Sequence, residues 1–120
     1  MTTTIDLFRN STEFVTYTAG QTVFNAGDPG DTMYVVIDGE IEIVLGDRVV
    51  DTSGPGGLVG EMSLIEASPR MATVRAKTDC KLVPINQKRF LYLVQEAPNF
   101  ALKVMRIMCE RLRKVHTSAH

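Results

Sequence analysis

The sequence contains no tryptophan, only two histidines and two cysteines, and a formal net charge of -1. A chain this close to neutral has no overall positive field to attract nucleic acid or an anionic membrane, so we expect neither as a partner. Both histidines, His116 and His120, stand near the end of the chain, and Cys80 and Cys109 lack the spacing of a zinc site. The sequence therefore predicts no bound metal and no catalytic cofactor.

Long hydrophobic runs are also missing, because no apolar stretch approaches the roughly 20 residues that span a membrane. The segment Met1 to Asp6 is polar and has no apolar core typical of a signal peptide. We interpret Cys80 and Cys109 as reduced, mostly buried thiols. These features predict a cytoplasmic protein, and 120 residues fit a single domain, 1–120.

Short β-branched and aromatic runs alternate with turn residues through the first part of the chain, about 14–85. Strands this short, at nearly even spacing, are typical of a sandwich or jelly roll. Asp38-Gly39, between two such runs, is a strong hairpin signal. The predicted strands are Phe14 to Thr18, Gln21 to Phe24, Thr32 to Ile37, Glu40 to Leu45, Arg48 to Asp51, Met71 to Ala76 and Cys80 to Ile85.

After residue 85 the apolar residues recur at helical spacing. Asn86 is a suitable N-cap for a helix over about 87–96, and Pro98 suits the first turn of a second helix over about 98–115. The basic end of that helix is interpreted as a solvated cationic terminus rather than a nucleic-acid surface; it comprises Arg111, Arg113 and Lys114. An apolar stripe on the same helix either packs on the roll or pairs with its copy in a homodimer; its members are Met105, Met108, Leu112 and Val115.

Catalytic motifs do not emerge from the sequence. No Gly-Lys-Ser/Thr follows the glycine-rich loop at 53–57, and Val59 stands where the dinucleotide fingerprint needs its third glycine. No nucleophile has a histidine nearby in sequence, and a phosphodiesterase would need metal ligands or a positioned base. We therefore expect a protein that is not an enzyme.

The informative stretch is Gly57 to Val74. Gly60 lets backbone approach a ligand closely, and the residues after it are able to form one helical turn whose N–H groups point at an anion. Glu61 is a carboxylate in an otherwise apolar stretch, and Arg70 offers donors suited to a phosphate. A ligand with one phosphate and one hydroxyl would satisfy these groups. The alternative for Glu61 and Arg70 is a mutual surface salt bridge with no ligand.

The order Gly-Glu-apolar-small-Leu, a short gap and then Arg-x-Ala-Thr-Val resembles the phosphate-binding cassette of the cyclic nucleotide-binding domain family. The resemblance covers about Phe14 to Val115. It implies a mainly β fold with flanking helices: an eight-stranded β-jelly-roll, or double-stranded β-helix, with a short phosphate-binding helix and C-terminal helices. It also implies a cyclic nucleotide as ligand, cAMP or cGMP, and an unidentified downstream protein as partner.

The same resemblance assigns roles to residues. Glu61 would bond the ribose 2′-hydroxyl and Arg70 the cyclic phosphate, while the wall and backbone donors would come from Gly60, Met62, Ser63, Met71 and Ala72. Met71 departs from relatives that carry Ser, Thr or Ala there, which favours cAMP over cGMP. Val115 and His116 are the candidate lid residues over the purine. The sequence thus predicts a non-catalytic sensor, and the alternative is a scaffold or dimerisation module that has kept the fold and lost the ligand.

Overall fold

A computed structural model of the chain describes Phe8 and residues 13–118, with side chains through residue 114. The predictions for Met1 to Asp6, for His120 and for the side chains of Val115 and His116 lie outside the described residues. The described chain forms eight strands, β1 (Val15–Tyr17), β2 (Thr22–Phe24), β3 (Met33–Asp38), β4 (Ile41–Leu45), β5 (Arg48–Ser53), β6 (Leu58–Val59), β7 (Thr73–Ala76) and β8 (Cys80–Ile85). Within residues 13–118, three helices accompany them, α1 (Glu61–Glu66), α2 (Gln87–Glu96) and α3 (Pro98–Ser118).

The strands form two four-stranded antiparallel sheets, in the orders β1-β8-β3-β6 and β2-β7-β4-β5. Strands adjacent in sequence therefore fall in different sheets along most of the roll, and the central pairs join distant segments, such as Val35 with Val83 and Ile43 with Val74. Strand pairing of this kind is the jelly roll that the sequence predicted.

The hairpin predicted at Asp38-Gly39 is wrong. The chain does turn there, but β3 pairs with β6 and β8 while β4 pairs with β5 and β7, so the turn carries the chain from one sheet to the other. Gly39 has a φ of 81°, and a Cβ on it would collide with the carbonyl oxygen of Asp79 and with Cys80. Glycine is needed at this crossing because it permits both the left-handed backbone and the close approach.

Two apolar clusters occupy the two faces of the first sheet. One lies between the sheets and contains Val36, Ile41, Val59, Val74, Ala76, Cys80 and Leu82. The other joins the outer face of that sheet to the helices and contains Phe8, Met33, Val35, Leu58, Leu64, Val83, Ile85, Phe100 and Val104. Alternation of side chains along β3 explains how one strand serves both clusters.

The helices begin where the sequence predicted. The Asn86 side chain accepts a hydrogen bond of 2.9 Å from the backbone N–H of Arg89 and caps α2, and α3 begins at Pro98.

Neither cysteine is in a disulfide. Cys80 is buried, and burial raises the pKa of its thiol, whereas Cys109 is exposed because it lies on the face of α3 away from the roll, contrary to the prediction. Within the described part of the chain, no helix is both long and apolar enough to cross a membrane.

Candidate functional site

The site begins where β6 passes into α1. Gly60 separates them with a φ of 82°, and a Cβ there would lie 2.7 Å from the Nη1 atom of Arg70 and 2.9 Å from the carbonyl oxygen of Thr32. Glu61 and Ser63 then open α1, and both are buried at 3% relative exposure. The glycine therefore admits the Arg70 guanidinium beside the start of the helix.

Arg70 is buried at 6% exposure, in the loop before β7. The predicted strand over Met71 to Ala76 starts two residues too early, because β7 begins at Thr73. The Nη2 atom of Arg70 donates to the Thr32 carbonyl at 2.8 Å and Nη1 donates to the Gly60 carbonyl at 3.3 Å. Burial lowers the pKa of this guanidinium, while neighbouring groups, Tyr34 first among them, act to raise it.

A second arginine reaches the site from α3. Nη1 of Arg111 donates to Oε1 of Glu61 at 2.5 Å, and Nη2 donates to the Leu58 carbonyl at 2.6 Å. On its other side Nε of Arg111 lies 3.7 Å from Asp51 on β5, which also pairs with Lys114 at 2.8 Å. The interpretation of Arg111 as part of a solvated cationic helix end is therefore wrong, since its side chain is only 22% exposed.

These elements surround a cavity of about 120 Å³. Its lining contains every ligand residue predicted from the sequence except the two lid candidates, whose side chains are not described: Gly60, Glu61, Met62, Ser63, Arg70, Met71 and Ala72. Five further residues line it, Phe24, Ile43, Val59, Val74 and Arg111. The alternative of a surface salt bridge between Glu61 and Arg70 is wrong, because both are buried and Glu61 pairs with Arg111.

Three buried polar atoms of residues that line this cavity have no hydrogen-bond partner among the described residues: Oε2 of Glu61, Nε of Arg70 and Nε of Arg111, the last of which lies beside Asp51. Buried polar atoms are ordinarily paired, so an acceptor on Glu61 and a donor on Arg70 without partners, on two residues that line one cavity, indicate a site for a polar ligand. Within the described residues, no group of three or more His, Cys, Asp or Glu side chains is arranged to hold a metal ion.

Comparison with known proteins identifies the family. A model of the cyclic nucleotide-binding domain matches residues 14–97, well over half of the chain. This chain belongs to the cyclic nucleotide-binding domain family. Over 81 residues it is 41% identical to the cAMP-dependent protein kinase regulatory subunit of Eremothecium gossypii, which covers 68% of this chain and 18% of that protein. The chain thus spans less than a fifth of that curated relative.

Solved structures of the family show the same fold. The c-di-GMP responsive global regulator CLP of Xanthomonas campestris superimposes with a TM-score of 0.80 at 31% identity, over 97% of this chain and 61% of that one. The catabolite activator protein of Thermus thermophilus gives a TM-score of 0.76 at 30% identity, over 88% of this chain and 52% of that one. Both relatives extend well beyond the region that they share with this chain.

Proposed function

We propose that this chain is a regulatory module that binds a cyclic purine mononucleotide, cAMP before cGMP, in the cavity between α1, the loop before β7 and α3, without catalysing a reaction on it. The observation that carries the proposal is that two residues lining one cavity each have a buried polar atom without a hydrogen-bond partner among the described residues. Glu61 offers an acceptor and Arg70 offers a donor. A cyclic phosphate accepts hydrogen bonds and a ribose hydroxyl donates one, so this ligand class satisfies both atoms.

The rest of the lining suits the base. Ile43, Val59 and Val74 give the cavity an apolar part of its lining. Apolar contact holds a purine with little discrimination between adenine and guanine, because the wall offers few hydrogen-bonding groups to the base edges. The preference for cAMP therefore rests on Met71, which has no hydroxyl, and on the similarity to a cAMP-dependent kinase regulatory subunit.

Ligand entry would require movement of α3. At about 120 Å³ the cavity is smaller than the roughly 300–1,000 Å³ usual for small-molecule pockets. Arg111 lines the cavity and ties α3 to Glu61, so room for a nucleotide comes most directly from displacing this arginine. A ligand that prefers the displaced arrangement shifts the population of α3 positions, and a downstream protein would sense that shift.

The binding experiment is calorimetry on the purified chain with cAMP, cGMP, c-di-GMP and 5′-AMP. We expect cAMP to bind with the highest affinity and 5′-AMP much more weakly, because its dianionic, uncyclised phosphate does not match a compact site beside a single buried guanidinium. c-di-GMP is included because CLP is described as responsive to it. Failure of all four ligands to bind at millimolar concentration would favour the alternative, a scaffold that has lost its ligand.

The movement of α3 has its own test. Spin labels at the exposed Cys109 and at an Asp47→Cys substitution in the β4–β5 turn report the distance between helix and roll. We expect cAMP to change that distance distribution in the parent. Phosphorus NMR of the same sample tests the non-catalytic part, since cAMP should persist unchanged. The expected cytoplasmic location stays a prediction, supported by the two free cysteines.

A further inference from the structure

The loop between β2 and β3 encloses Arg70, although its residues 25–32 do not line the cavity. The backbone N–H of Gly27 donates to the Arg70 carbonyl at 2.7 Å, and the Arg70 N–H donates to the Asp28 carbonyl at 2.8 Å. At the end of the same loop, Thr32 accepts from the guanidinium. One loop therefore fixes both the backbone and the side chain of Arg70.

The walls around the guanidinium are an aromatic ring and a glycine. Cζ of Arg70 lies 4.0 Å from the centroid of the Phe24 ring, the geometry of a cation–π contact. A Cβ built on Gly30 would collide with Nε, Cζ and Cδ of Arg70. The φ of Gly30 lies outside the left-handed region, so space for the arginine is what requires glycine there, and not backbone strain.

From this arrangement we propose that Phe24 and Gly30 are positioning residues: they form a slot that holds the Arg70 guanidinium in its binding orientation before a ligand arrives. The role in binding rests on the proposed function. Holding the arginine in advance spares the ligand the cost of ordering a side chain with several rotatable bonds. Gly30 acts only through Arg70, because it does not line the cavity.

The test compares two glycines. Gly30→Ala should weaken cAMP binding about ten-fold or more, up to the loss caused by Arg70→Ala. Gly54→Ala is the matched control, since its φ is also outside the left-handed region and its Cβ would meet nothing closer than 3.9 Å. We expect parent-like affinity from Gly54→Ala. Parent-like affinity from a folded Gly30→Ala protein would overturn the proposal.

Phe24→Leu provides a second variant that keeps apolar volume and removes the ring. It should weaken binding about two- to thirty-fold, the range of a cation–π contact at 1.4 kcal/mol per decade. Because Phe24 also lines the cavity, the change is repeated in an Arg70→Ala background, where it should cause no further loss. An equal loss in both backgrounds would mean that Phe24 acts on the ligand directly, and would overturn its positioning role. If Gly30→Ala does not fold, the comparison of Phe24→Leu in the parent and Arg70→Ala backgrounds tests the proposal by itself.

A ligand-free measurement separates this proposal from the proposed function. In the parent, the Nε–Hε NMR signal of Arg70, assigned by its loss in Arg70→Ala, should be ring-shifted and slow to exchange with solvent. Phe24→Leu and Gly30→Ala should each move it toward the position of exposed arginines. If no nucleotide binds the parent and this signal behaves as expected, the proposed function fails while the slot stands. A signal unchanged in both variants overturns the slot.

Discussion

Glu61 and Arg111, fifty residues apart in the chain, form an ion pair beside the cavity, with side-chain exposures of 4% and 22%. The pair joins the helix that opens the candidate site to the long helix that follows the roll. Arg111 also donates to the Leu58 carbonyl in β6, so one side chain holds α3 against both the strand and the helix next to the cavity. The position of α3 and the environment of Glu61 are therefore physically linked.

Arg111→Ala should destabilise the protein, because it leaves the buried Glu61 carboxylate without its cation. Removing one partner of a buried ion pair costs about 3–5 kcal/mol, and water entering the space vacated by the partly exposed Arg111 lowers the expected loss to about 1–3 kcal/mol. Each kcal/mol lowers Tm by roughly 3–6 °C in a domain of this size. Thermal unfolding followed by circular dichroism measures the difference in Tm between the variant and the parent.

Arg113→Ala is the control for this prediction, since Arg113 is an exposed arginine on the same turns of α3. Its loss should change stability by no more than about 0.5 kcal/mol, or Tm by no more than about 3 °C, as expected for an exposed side chain. Equal losses in the two variants would mean that the ion pair contributes no more than general helix charge.

The sequence predicted the fold well where its signals are local. Asn86 and Pro98 mark the starts of α2 and α3 because capping and fixed φ act within one turn of helix. The Asp38-Gly39 turn shows the limit of such signals. Its residues specify a reversal of the chain, but they do not determine which strand pairs with β3. The longest pairing of β3 is with β8, which lies more than forty residues later in the sequence.

The site divides in the same way. Gly60, Glu61 and Arg70 carry a compact sequence pattern, whereas Arg111 belongs to no such pattern, and the charge of its helix end predicts only a solvated side chain. A signal was available: Val104, Ile107 and Arg111 follow helical spacing, and the first two face the core cluster. A charged residue continuing an apolar face has to find a buried partner, and Glu61 is the buried acid that it meets.

Met71→Thr should raise the affinity for cGMP relative to cAMP. Met71 lines the cavity next to Arg70 and is 65% exposed, so a shorter side chain fits without disturbing the core. A hydrogen bond between the added threonine hydroxyl and guanine would contribute about 0.5–1.5 kcal/mol. The ratio of cGMP affinity to cAMP affinity would then rise about two- to twelve-fold. Calorimetry with both nucleotides measures it. Met71→Val has the shape of threonine without the hydroxyl, and the same shift in that variant would show that size, not hydrogen bonding, sets the preference.

Leu112→Glu should abolish self-association if α3 pairs with its copy, which stays a prediction. Of the predicted stripe, Met108 packs on the protein's own core, while Met105 and Leu112 are 54% and 70% exposed. Leu102 and Cys109 are also exposed. The exposed residues then follow one another at intervals of three, four and three, the pattern of a coiled-coil seam: Leu102, Met105, Cys109 and Leu112. Light scattering compares the variant with the parent, and Arg113→Glu on the same helix controls for added charge. A parent that is monomeric at high concentration, with and without nucleotide, rules out this dimer.

Arg70→Ala and Glu61→Gln should weaken nucleotide binding in different ways. Removing Arg70 takes away the buried guanidinium assigned to the phosphate, at a cost of about 2–5 kcal/mol, for every cyclic nucleotide alike. Glu61→Gln keeps an acceptor for the ribose hydroxyl but weakens it, at about 1–3 kcal/mol.

The two variants are distinguished by titration with cAMP and its 2′-deoxy analogue. The parent should prefer the ribose form, because Oε2 of Glu61 has no hydrogen-bond partner among the described residues and the 2′-hydroxyl supplies a donor. Arg70→Ala should lower both affinities and keep their ratio, whereas Glu61→Gln should bring the two affinities together. If Arg70→Ala binds as tightly as the parent, the phosphate does not lie at this guanidinium. A ratio that persists in Glu61→Gln would place the ribose hydroxyl on another group, and Glu61 would then serve the ion pair with Arg111 and not the ligand.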